Sequence, residues 1–81
     1  MNIEWTRRAR KDLRKLDIPE QARVVASATR YAESGFGDIR KVETTDKLAL
    51  RVGDWRIFFK RKAKGTIQIT AVRLRDKAYK K

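Results

Sequence analysis

With 81 residues, no cysteine and no histidine, the chain can build one small core. It has no disulfide framework, no thiolate chemistry and none of the usual zinc or iron ligand sets. No apolar run approaches the roughly 20 residues of a membrane span, and the opening Met1-Asn-Ile-Glu-Trp5 has no signal-peptide stretch, so a cytoplasmic protein is expected. The formal net charge of +12 is uneven: residues 1–40 hold nine Lys/Arg against six Asp/Glu, and residues 41–81 hold thirteen against four. The positive field thus belongs to the second half, and its partner is nucleic acid, anionic lipid or an acidic protein.

Ile3 and Trp5 alternate with polar neighbours and predict a short first strand, followed by Thr6 as the N-cap of a helix. Ala9, Leu13 and Leu16 recur at i, i+4 and i+7, a narrow apolar stripe. Arg7, Arg8, Arg10, Lys11, Arg14 and Lys15 fill the rest of that helix, a basic face that is either solvated or in contact with nucleic acid. Asp17-Ile18-Pro19-Glu20 restarts the pattern, because proline suits a first helical turn and an acid suits the positive end of the dipole. The second helix should bury Ala22, Val25, Ala28, Thr29 and Ala32, with Val24 and Tyr31 at the margins, and end at Ser34-Gly35-Phe36-Gly37 through a glycine cap. The short connection implies an antiparallel helix pair, which needs a sheet to cover it. Phe36 is expected to fold back onto the core. Ile39 to Val42 reads as a short strand, and Thr44-Thr45-Asp46 as a turn.

Lys47 to Lys60 carries the most information. Two alternating runs flank Gly53-Asp54, a two-residue loop favouring a tight hairpin. Its register sets Val52 against Trp55, Leu50 against Ile57 and Leu48 against Phe59 on a core side. The other side pairs Arg51 with Arg56, Ala49 with Phe58 and Lys47 with Lys60. Like charges directly opposite one another are unfavourable. Either an external polyanion supplies the countercharge or the long side chains splay apart into solvent. After the basic loop Arg61-Lys-Ala-Lys-Gly65, the strand Thr66 to Val72 should send Ile67, Ile69 and Ala71 to the core and Gln68, Thr70 and Val72 to the basic face. Unbroken parity would bury Arg73 alone, which is not tolerated. The strand must therefore end or bulge at Val72 or Arg73, leaving the tail to curl across the sheet edge. The order predicts an α+β fold: an N-terminal strand, and a helix pair on one face of a twisted antiparallel sheet of about four strands. The opposite face is left open and cationic.

Lys47, Arg51, Arg56, Lys60 and the tail arginines can grip phosphates. Tyr79, among Lys77, Lys80 and Lys81, and Phe58 are candidates for stacking on an exposed base. Phe58 could equally belong to a small apolar cluster with Ala49 and Val72. Catalysis is a sharper possibility, since RNA is cut without metal when its 2′-hydroxyl attacks the neighbouring phosphate, given a base, an acid and cations. Without histidine the base is a lysine or a carboxylate, and Lys47, facing Lys60, is the lysine with a cationic neighbour.

Leu50-Arg-Val-Gly-Asp-Trp-Arg-Ile-Phe-Phe59, the later Ala71-Val-Arg-Leu-Arg-Asp-Lys-Ala-Tyr79 and the helical Arg7-Arg-Ala-Arg-Lys-Asp-Leu-Arg-Lys-Leu16 together resemble the RelE/ParE superfamily of toxins from type II toxin–antitoxin modules. The resemblance spans essentially the whole chain and implies a single RelE-like toxin domain over residues 1–81. In the RelE branch it implies a ribosome-dependent endoribonuclease that cuts messenger RNA, uses no cofactor and is inhibited by a cognate antitoxin protein; the basic surface would also contact ribosomal RNA. By position, Arg56 would stabilise the phosphate in the transition state, Arg73 would act near the leaving group, and Tyr79 would stack on the substrate base. Lys47 would be the base. Arg51, Lys60, Arg75 and Lys77 would bind substrate. The family's second basic residue on the strand of Lys47 falls on Ala49, a departure for which Arg51 or Lys60 could compensate. The ParE branch shares the fold and is associated with DNA gyrase inhibition, and a non-catalytic RNA- or ribosome-binding module is the reading outside toxins.

Overall fold

The computed structural model describes residues 1–42, 47–63 and 65–74. In chain order they form β1 (Asn2–Trp5), α1 (Arg7–Arg14), α2 (Ile18–Ser34), β2 (Asp38–Lys41), β3 (Leu48–Val52), β4 (Trp55–Lys62) and β5 (Thr66–Leu74). The sheet runs β1-β5-β4-β3-β2. Its neighbours are antiparallel except β1, which lies parallel to β5 with Ile3 beside Ile67 and Trp5 beside Ile69. The expected α+β architecture is present, and the N-terminal strand joins the four antiparallel strands to make a mixed, five-stranded sheet.

Helix α1 starts where Thr6 accepts the Ala9 N–H at 3.1 Å. It ends before Leu16, whose side chain is nonetheless buried. Helix α2 has Pro19 and Glu20 in its first turn and ends at Gly35, whose φ of 77° is a left-handed cap donating to the Tyr31 carbonyl. Its buried stripe is Val24, Ala28 and Tyr31, with Ala32 alongside. The stripe is thus turned one residue from the expected one, and Ala22, Val25 and Thr29 face outward. Tyr31 fixes that rotation: its ring lies 5.2 Å from Phe59, and its hydroxyl accepts from Arg61 Nη2 at 2.5 Å. Phe36 is 72% exposed and does not fold back. The next residue but one after the cap, Gly37, lies so close to Leu50 that a Cβ there would be 2.7 Å from Leu50 Cδ1.

The hairpin forms in the expected register, from Leu48 with Phe59 to Val52 with Trp55. Gly53 takes a φ of 59° at its turn. Between β4 and β5 the pairing steps from Phe59 with Ile69 to Phe58 with Ala71, which leaves Thr70 bulged. This bulge lies earlier than expected and reverses the assignments beyond it. Val72 enters the core, whereas Ala71 and Arg73 turn to the cationic face, and the strand continues to Leu74. Two preferences select that position: Val72 has more apolar surface to bury than Ala71, and a lone guanidinium is kept out of the core. The core then joins Leu50, Val52, Ile57, Phe59, Ile67, Ile69 and Val72 to Ala9, Leu16, Val24, Ala28 and Tyr31 of the helical half.

Candidate nucleic-acid interface

Alternation along the strands fixes the composition of the opposite face, and the register arranges it in rows about 7 Å apart. Asp38, Arg51, Arg56 and Arg73 form one row across β2, β3, β4 and β5. The next row is Arg40, Ala49, Phe58 and Ala71. Beyond it Lys60, Gln68 and Glu4 align, with Lys47 one residue before the first paired position of β3. Hence five of the residues singled out from the sequence, Lys47, Arg51, Arg56, Lys60 and Arg73, are on one face. Arg75, Lys77 and Tyr79 lie outside the described residues.

The arginine row is graded in charge. At its outer end Arg51 Nη1 stands 4.0 Å from Asp38 Oδ2, and Asp38 Oδ1 accepts from Arg40 Nε at 3.1 Å. Arg56, in the middle, is only 9% exposed. It has cross-strand neighbours of like charge on both sides, and partial burial reduces the screening between them. At the far edge Glu4 Oε1 accepts from Lys62 Nζ at 3.2 Å and Gln68 Nε2 at 2.9 Å. Among the described residues both carboxylates of this face are on edge strands. Phe58 is half-buried between Ala49 and Ala71; Val72, expected beside it, is in the core. Its ring therefore has only small neighbours on the flanking strands. Ala49 is 1% exposed, and no amino group extends from that point of β3.

Asp12, in basic α1, has a role that the periodicity of the sequence does not signal. Its Oδ2 accepts the backbone N–H of Val72 at 3.1 Å, just before Arg73, and Arg8 Nε lies 4.0 Å away. Asp12, Lys15, Leu16, Trp55 and Arg73 line a groove of about 250 Å³ at this end of the sheet. The one signal in the sequence was an isolated acid among six cations. Among the described residues no three of His, Cys, Asp or Glu come together as a metal site would require, and no helix is long and apolar enough to cross a membrane.

No protein-family model matches the chain, and no curated protein matches it. Solved structures do. The chain is similar to one in the toxin–antitoxin complex RelBE2 from Mycobacterium tuberculosis, at 26% identity and a TM-score of 0.73, covering 91% of this chain and 96% of that one. It is similar to one in the RelB-RelE antitoxin-toxin complex from Methanococcus jannaschii, at 21% identity and a TM-score of 0.76, covering 94% of each. A YoeB/ParE toxin from Agrobacterium tumefaciens matches at 13% identity and a TM-score of 0.69, over 91% of this chain and 98% of that one. The chain thus has the fold of RelE/ParE-superfamily toxins, and RelE structures are prominent among those it resembles.

Proposed function

We propose that residues 1–81 act as one toxin domain of a type II toxin–antitoxin module, and that it cuts messenger RNA on the ribosome. The observation that carries this reading is the row Arg51, Arg56 and Arg73, three guanidinium groups on adjacent strands of one face. Such a row suits a phosphodiester that gains negative charge during the reaction.

In this mechanism the 2′-hydroxyl of the substrate loses its proton to Lys47, acting as the base, and O2′ attacks the neighbouring phosphorus. The bond from phosphorus to the 5′-oxygen breaks and the leaving oxygen takes up a proton from water. The products are a 2′,3′-cyclic phosphate and a free 5′-hydroxyl. Arg56 holds the phosphoryl oxygens as their charge grows, and Arg73 acts on the leaving-group side. Phe58 and Tyr79 offer ring faces to the flanking bases, while Arg51, Lys60, Arg75 and Lys77 retain the backbone. Ala49 leaves Lys47 without a second lysine on its strand, and Lys60 from β4 fills that place. Metal plays no part in these steps, and an antitoxin of complementary negative charge covers the cationic face.

Controlled expression tests the reading. Wild-type protein should arrest growth with loss of full-length mRNA, whereas Arg56→Ala and Arg73→Ala should each relieve it. Full cleavage by both variants would sink the assignment of the site. Intact mRNA with DNA breaks and co-purifying gyrase would replace the reading with a gyrase-directed one, and salt-sensitive RNA binding without arrest would reduce it to a binding module.

A further inference from the structure

Helix α1 bears on the arginine row from the edge of β5. Strand β1 pairs with β5 only as far as Trp5 and Ile69, so beyond that point the outer edge of β5 has no strand beside it. In an antiparallel pair, backbone N–H groups alternate between facing the partner strand and facing away. The N–H of Val72 points away from β4, where an edge donor beside a core residue is costly to leave unsatisfied. The start of the helical segment covers this edge. The Thr6 N–H bonds to the Ile69 carbonyl at 3.0 Å, Thr6 Oγ1 donates to the Thr70 carbonyl at 3.4 Å, and Asp12 Oδ2 accepts from Val72. On the other side Thr70 Oγ1 donates to the Phe58 carbonyl at 3.3 Å. The bulge is thereby held from both sides.

We infer that Asp12 is a positioning residue for Arg73: its carboxylate fixes the segment just after the bulge and so keeps Arg73 in the row with Arg56 and Arg51. The inference rests on the function proposed above and extends it to a residue of helix α1. The bulge decides parity. If it moved past Val72, Val72 and Arg73 would exchange faces and the row would lose its third cation. Helix α1, through a single acceptor, opposes that slip. The carboxylate is 14% exposed and has Arg8 at 4.0 Å, so the acceptor is held near the edge that it serves.

The test needs the full-length chain with Asp12→Ala, Asp12→Asn and Arg73→Ala, alone and combined. Asp12→Leu, which keeps a good helix former, replaces Asp12→Ala if that variant is unfolded at the assay temperature. Two measurements are made: amide hydrogen exchange at Val72, Arg73 and Leu74, and cleavage of ribosome-bound mRNA. Asp12→Ala should speed exchange at these three amides and lower cleavage roughly tenfold or more, since a displacement of about 1 Å can cost ~100-fold. Asp12→Asn, whose amide oxygen still accepts, should restore most of both. Asp12→Ala combined with Arg73→Ala should cleave no worse than Arg73→Ala alone, whereas a general loss of structure would multiply the two defects. Unchanged exchange in Asp12→Ala, undiminished cleavage despite faster exchange, or multiplying defects would each overturn the inference. If the wild type itself does not cleave, the proposed function fails, and the exchange comparison alone decides whether Asp12 holds Arg73 in place.

Discussion

Replacing Arg73 by methionine should make the protein more stable while removing its activity. Arg73 is directly opposite Arg56, which faces Arg51 on its other side, so the row places two like-charge pairs on one face. Each such pair is unfavourable by about 0.2–1 kcal/mol, and methionine retains an unbranched apolar stem where Leu16, Trp55 and Leu74 line the groove. In a domain of this size 1 kcal/mol shifts the Tm by about 4–8 °C, so Arg73→Met should melt about 1–8 °C higher in low salt. Arg51→Met is the internal control. Arg51 already has Asp38 at 4.0 Å, so losing its charge relieves one repulsion and removes one attraction, and the Tm should hardly move. Thermal melts followed by circular dichroism at about 20 mM and 1 M salt decide the matter, since screening contracts to about 3 Å at 1 M and the gain should then largely vanish. An Arg73→Met protein that melts below the wild type in low salt, or whose gain survives 1 M salt, would refute the like-charge account of this face.

Three further outcomes follow from the same geometry. Phe59, 1% exposed and against Tyr31, should lose about 3–5 kcal/mol on truncation to alanine. That is a large part of the 4–12 kcal/mol or so available to a domain of this length, so urea denaturation should find Phe59→Ala largely unfolded near its midpoint for the wild type. Gly53→Val should be destabilised by more than about 1 kcal/mol in the same assay, because the turn needs a left-handed φ and a Cβ there would lie 3.0 Å from Arg23 Nη2; Gly53→Asn should be milder. Binding of a short oligouridine should weaken with salt at a slope of about −0.7 per phosphate contacted, and Arg56→Gln should flatten that slope by roughly one contact in fluorescence anisotropy.

Much of this was legible in the sequence because strand periodicity is strict. The Gly53-Asp54 turn fixed every pair from Leu48–Phe59 to Val52–Trp55, and with them the division between core and cationic sides. The bulge was legible only as a necessity. Unbroken parity buried Arg73, but its location at Thr70 depends on Val72 outcompeting Ala71 for the core and on helix α1 covering the edge of β5, neither of which alternation encodes. The stripe of α2 differs by one residue from the one that periodicity predicts, because Tyr31's contacts with Phe59 and Arg61 set the rotation. Phe36, expected to fold back onto the core, is exposed just beyond the Gly35 cap. Asp12 was invisible among basic neighbours, since its partner is a backbone N–H sixty residues away.

The central claim is that the arginine row is the chemical centre of an RNA-cutting toxin. It is tested most directly by mapping the ends of mRNA after purified protein is added to translating ribosomes. The account predicts breaks bearing 2′,3′-cyclic phosphate and 5′-hydroxyl ends, formed by the wild type and reduced about 100-fold or more by Arg56→Ala, the scale of losing one preorganised charge-stabilising donor. Equal cleavage by Arg56→Ala, or 5′-phosphate ends in the wild-type reaction, would contradict it.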